Sequence, residues 1–160
     1  MKLVRMFSIA AVGALISQSA FAQTATQTVT FEVDAINQIA VTGTPSLLIN
    51  TATAGSAPTS VTSAGNTWAV TTNQTGAKIT ASIASAMPAG LTLSANLGAP
   101  AGATSNGLVA LGTTANDMVT GITKLNASGL ALSYQLSATA AAGVITSATK
   151  IVTYTITGGV

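Results

Sequence analysis

The stretch TVTFEVDAINQIAV, Thr28 to Val41, decides the class of fold. Val29, Phe31 and Val33, and later Ile39 and Val41, share one parity, while Thr28, Thr30, Glu32 and Asp34 share the other. A period of two places one set of side chains on each face of a β-strand. Ile36 breaks the phase, which predicts a bend or bulge near Ala35 to Gln38. The same stretch holds two of the chain's three acids, so its reading also separates a catalytic carboxylate pair from the wet face of a strand.

Upstream, Lys2 and Arg5 precede the apolar run MFSIAAVGALI, which gives way to small residues around Ala20-Phe21-Ala22. That is the pattern of a secretory signal, with a cut expected before Gln23 and a mature chain of residues 23–160. The apolar run is too short for a bilayer span, so no stable membrane insertion of the mature chain is expected. The mature chain, a single domain on this reading, keeps Lys78, Lys124 and Lys150 against Glu32, Asp34 and Asp117, which leaves no net charge. A nucleic-acid partner is excluded on that ground, because phosphate binding needs a basic patch.

Downstream, the alternation returns. TWAVTTN from Thr67 puts Trp68 and Val70 on one side, AKITASIA from Ala77 does the same for Ile79, Ala81 and Ile83, and LTLSANL from Leu91 follows the turn MPAG. GLALSYQLSATA places Leu130, Leu132, Tyr134, Leu136 and Ala138 on one parity, and KIVTYTIT places Val152, Tyr154 and Ile156. SLLIN at Ser46 to Asn50, GLVAL at Gly107 to Leu111 and DMVTGI at Asp117 to Ile122 are weaker candidates. Gly, Ser, Pro, Asn and Ala clusters separate these segments, and only a short helix near Thr114 to Val119 is allowed for. Eight or nine short strands with close turn signals predict an all-β fold, an immunoglobulin-like Greek-key antiparallel β-sandwich.

The chemistry-bearing residues are few. Glu32 and Asp34, two residues apart on a strand, leave the same face roughly 7 Å apart, a separation compatible with glycoside hydrolysis. A sugar cleft would need aromatic paving, and aromatic residues are only 4% of the chain, so a solvated strand face is the reading adopted. Ca²⁺ could draw on the same acids with Asp117, but no acid run has a calcium-loop spacing, and no metal or cofactor is expected. The chain has no His and no Cys, which leaves Lys as the only base for a Ser or Thr nucleophile, and no Gly-x-Ser-x-Gly elbow occurs. An enzyme is not expected.

Three other patterns have plain explanations. Asn73-Gln74-Thr75 and Asn126-Ala127-Ser128 fit the glycosylation triplet, which arises by chance in a Thr- and Ser-rich chain. Thr153, Thr155 and Thr157 resemble the rows of ice-binding faces, yet Thr is the ordinary solvent-facing strand residue. An outer-membrane barrel would carry aromatic girdles, which this chain lacks.

Hydrophobic residues at 48% with only 5% charge describe a surface that invites association, since interspersed charge normally keeps folded domains apart. Sheet edges need Lys or Pro to stay unpaired, and this chain has little of either. With its signal, its Thr-rich alternating N-terminal strand, its Cys-free β body and the closing VTYTIT, the chain resembles subunits of secreted β-sandwich filaments, the pilin-like and camelysin or biofilm-fibre proteins. That resemblance implies an extracellular or cell-surface homopolymer in which Thr28, Val29, Thr30, Phe31 and Val33 form the subunit-interface strand. A secreted adhesin or binding module is the other expectation.

Overall fold

The computed structural model describes residues 22–160, and residues 1–21 of the expected leader lie outside the described residues. The chain divides into two units, Met1–Glu32 and Val33–Val160. In the first, residues 22–32 are exposed and carry neither strand nor helix.

The second unit is all-β. Its strands are β1 (Asn37–Thr42), β2 (Val61–Thr72), β3 (Ala77–Ile83), β4 (Leu91–Leu97), β5 (Thr104–Ser105), β6 (Leu108–Ala110), β7 (Asn116–Ile122), β8 (Leu125–Ala138) and β9 (Val152–Thr157). They form two antiparallel sheets, one ordered β1-β2-β8-β4-β6 and the other β5-β7-β3-β9, a sandwich-like architecture. The only helical turn among the described residues is a 3-10 turn at Ala140–Ala142.

The core follows from the alternation. β3 buries Ala77, Ile79, Ala81 and Ile83 and leaves Lys78, Thr80 and Ser82 half-exposed. Trp68 and Val70 of β2, Leu93, Ala95 and Leu97 of β4, Leu111 just after β6, Met118, Val119 and Ile122 of β7, and Leu132 and Tyr134 of β8 complete it. Such period-two burial between two sheets is how a short strand with one apolar face removes that face from water.

The structure departs from the expected elements where local pattern and pairing disagree. The first strand starts at Asn37, not Thr28, so the phase break at Ile36 marks the approach to a strand and no bulge within one. β2 begins six residues earlier than its alternation suggests, because Gly65, at φ +82°, sits in a bulge between Ser63 and Asn66 that scrambles the parity. The bulge keeps its polar groups paired: Asn66 Nδ2 donates to Ser63 Oγ at 3.2 Å, and that hydroxyl accepts the Tyr134 amide at 3.3 Å. SLLIN is not a strand, and the short helix allowed near Thr114 to Val119 is absent, since Asn116–Ile122 pairs with β3 as β7.

The flanks of the two sheets differ. On one, the edges are short, two residues in β5 and three in β6, and they are tied down: Ser105 Oγ donates to the Leu97 carbonyl at 2.6 Å and Asn106 Nδ2 to the Asp117 carbonyl at 2.8 Å. On the other, β1 and β9 are six residues each and run near one another without a ladder between them.

Candidate functional site

The residues expected to form an interface lie at and beside the boundary of the two units. Thr28, Val29, Thr30, Phe31 and Val33 are all exposed and outside any strand, Phe31 at 88% of its full area. Glu32 and Asp34 are exposed with them. Just after, the chain is anchored by Asn73 at the end of β2: its Nδ2 donates to the Asp34 carbonyl at 2.7 Å, and its Oδ1 accepts the Ile36 amide at 2.8 Å. The Asn73 amide in turn donates to the Ile36 carbonyl. One Asn side chain thus fixes the direction in which the backbone enters β1, with both ends of its amide occupied. This use of the Asn73-Gln74-Thr75 triplet was invisible in sequence, since the partners are 37 and 39 residues apart.

No constellation with catalytic geometry accompanies these residues. Asp117 takes the Lys78 ammonium at 2.9 Å on the outer face of the second sheet. No group of three His, Cys, Asp or Glu side chains is brought together among the described residues. A Ser-x-x-Lys spacing does occur, at Ser147 to Lys150, but Lys150 Nζ donates to Ser85 Oγ and to the Ala86 carbonyl, both at 2.8 Å. A shallow depression of ≈ 370 Å³ beside the Asn73 anchor, lined by Ile36, Thr71, Thr72, Lys124, Leu125 and Asn126, offers one ammonium and no carboxylate. No helix among the described residues is long and apolar enough to cross a membrane.

Compared with known protein families, curated proteins and solved structures, the chain matches none.

The site is an uncovered flank. Val152, Tyr154 and Ile156 of β9 point toward the core yet are only half-buried, while their β3 partners Ile83, Ala81 and Ile79 are fully buried. On the facing sheet, Ile39 and Val41 share the inward parity, and Val41 is 48% exposed although its partner Trp68 is 1% exposed. Burial thus falls within one strand step on both sheets, leaving a strip of apolar side chains that is half-buried at Ile39, Val152, Tyr154 and Ile156 and exposed at Val41. Neither edge carries a charge or a proline, the devices that ordinarily keep an edge unpaired.

At the middle of this strip the two sheets are bridged by a pair of phenols, Tyr154 Oη donating to Tyr134 Oη at 2.9 Å. Burial first, and this hydrogen bond second, push the Tyr154 phenol above its ordinary range. The folded state therefore favours the neutral phenol. Its contribution is intact below the unfolded value of about 10 and is lost as pH rises beyond it. Denaturant titrations at pH 8 and pH 11 should show a smaller alkaline loss of stability in Tyr154→Phe than in the parent chain; equal losses would mean that Tyr154 is solvated.

Glu32 and Asp34 are exposed but lie in no strand, so the strand face expected for them is not formed within the single chain. Replacing Glu32 and Asp34 together by Thr is expected to change stability by less than about 0.5 kcal/mol, because neither side chain is buried. Thermal melts with and without Ca²⁺ check this. A calcium-dependent shift in the parent that disappears in the double variant would restore the metal site.

Proposed function

We propose that this protein is a structural subunit of an extracellular filament or surface layer, assembling when the extended segment near Thr24 to Val33 of one copy adds as a β-strand to the sheet of another. The observation that carries this reading is the coexistence of an uncovered, uncharged sheet flank with a strand-like segment outside any ladder in the same chain. An edge strand exposes a row of unpaired N–H and C=O groups. An added strand satisfies that row through main-chain hydrogen bonds, and alternate side chains fill the apolar positions beneath. TVTFEV supplies both requirements: it has no Pro and no Gly, and Val29, Phe31 and Val33 alternate with Thr28, Thr30 and Glu32.

On this reading the body is an immunoglobulin-like Greek key, supported by the long β2–β8 pairing, which joins strands far apart in sequence at the centre of the larger sheet. The leader of residues 1–22 directs secretion, and no enzymatic activity, metal or cofactor is assigned. The purified mature chain, concentrated and viewed by negative-stain electron microscopy with sedimentation in parallel, should give polymers. A chain that stays monomeric at high concentration and on the cell surface ends the filament reading, and a secreted adhesin or binding module takes its place.

A further inference from the structure

We infer that the acceptor is the outer edge of β9 and that the donor segment of a second copy enters antiparallel to it, with Val33, Phe31 and Val29 beside Val152, Tyr154 and Ile156. This rests on the strand addition proposed above and adds the edge, the direction and the register.

The edge follows from strand count and burial. Five strands stand against four, and β9 is the last strand of the smaller sheet on the flank where β1 ends the larger one. A fifth strand beside β9 equalises the sheets and covers the half-buried row Val152, Tyr154 and Ile156. That row has three apolar side chains at a spacing of two, as does the donor. The opposite flank offers only the short, tethered edges of β5 and β6.

The direction follows from where the chain enters and leaves the second unit. Asn73 pins Asp34 and Ile36 at the end of β2, and Asn37 Nδ2 donates to Gln74 Oε1 at 2.9 Å in the turn that follows. β9 finishes at the same end: Val160 and Thr75 exchange backbone hydrogen bonds, and a Cβ on Gly158 would run into the Gln74 side chain. The donor segment therefore departs from the end at which β9 terminates. In copies repeated head to tail in one orientation, it meets the next copy at the end where β9 begins. Val33 then arrives first, beside Val152, and the segment runs from Thr28 to Val33 against the direction of β9.

Charge supports the same arrangement. Glu32 and Asp34 give the donor stretch two negative charges, whereas residues 35–160 hold Lys78, Lys124 and Lys150 against Asp117 alone. Lys78 is taken by Asp117, but Lys150, two residues before β9, donates only to a hydroxyl and a carbonyl. In the antiparallel register Asp34 falls beside the start of β9, the end of the strand that Lys150 precedes, although its ammonium is turned to the β3 side on Ser85 and Ala86. The parallel alternative carries both acids toward the far end.

The chain has no cysteine, so two singly substituted variants can be mixed and oxidised without background. Directly opposed positions on paired strands bring Cβ atoms within disulfide range. Thr30→Cys mixed with Thr155→Cys should give an intermolecular disulfide, in several-fold higher yield than Thr30→Cys mixed with Thr153→Cys, the pair that a parallel register would oppose. Preferential linkage to position 153 overturns the antiparallel assignment. Polymers that form but link at neither position overturn the β9 edge while leaving assembly itself standing. If no polymers form in the parent or the variants, assembly fails and the β9 acceptor fails with it.

Discussion

Trp68→Ala is expected to cost about 3–5 kcal/mol, the range for emptying a fully buried aromatic site. Trp68 is the largest side chain in the core, at 1% exposure, on the strand that joins β1 to β8. Its indole Nε1 donates to the Gly98 carbonyl at 3.1 Å, and the Gly98 amide donates onward to the Ala131 carbonyl at 2.8 Å. Truncation thus leaves a void and releases the bond holding the start of the β4–β5 connection. Against a total stability of about 5–15 kcal/mol, the loss amounts to a third or more of what keeps many domains folded. Thermal melts followed by circular dichroism should register a fall of roughly 10–20 °C. Trp68→Phe keeps most of the apolar volume but not the donor, and should fall between the two. A change below about 1 kcal/mol in the alanine variant would contradict the packing described for this strand.

Much of the fold is legible because alternation is a local signal. β3, β4 and β9 contain no Gly or Pro, and their apolar parity in sequence is the parity that faces the core. Where the pattern is interrupted, reading fails for identifiable reasons. Gly65 hides the first half of β2 behind a bulge, and β5, with two residues, is too short to show any period. SLLIN is apolar enough for a strand but forms no ladder, which is a property of two segments and not of one. The same distinction governs the candidate site. TVTFEV carries a clear two-residue period yet lies in no strand, because alternation states which face would be buried and says nothing of what will cover it. The Asn73 anchor and the half-buried row of β9 arise from contacts across tens of residues, and they appear only once the sheets are assembled.

Deleting Gln23 to Thr30 is expected to abolish polymers while leaving the monomer folded. The buried core consists of residues between Trp68 and Tyr134, and the entry to β1 is fixed by Asn73 at Asp34 and Ile36, all downstream of the deletion. The circular dichroism spectrum and melting temperature of the variant should therefore match those of the mature chain. The point substitutions Val29→Asp and Phe31→Asp, made together, test the same idea without shortening the chain. Burying a Val or Phe side chain is worth about 1.5–3 kcal/mol, so losing two weakens association by about 10²–10⁴-fold before the cost of burying two carboxylates is counted. For assembly at about 1 μM such a loss moves the threshold to roughly 0.1–10 mM protein, which sedimentation and electron microscopy detect directly. The deletion discriminates more sharply, because its outcomes separate three arrangements. A folded variant that no longer polymerises supports donation between copies, and a folded variant that polymerises as before shows that the segment is not the donor. A variant that fails to fold shows that residues 23–30 complete the sheet of their own subunit, and the uncovered flank of β9 is then closed from within the same chain.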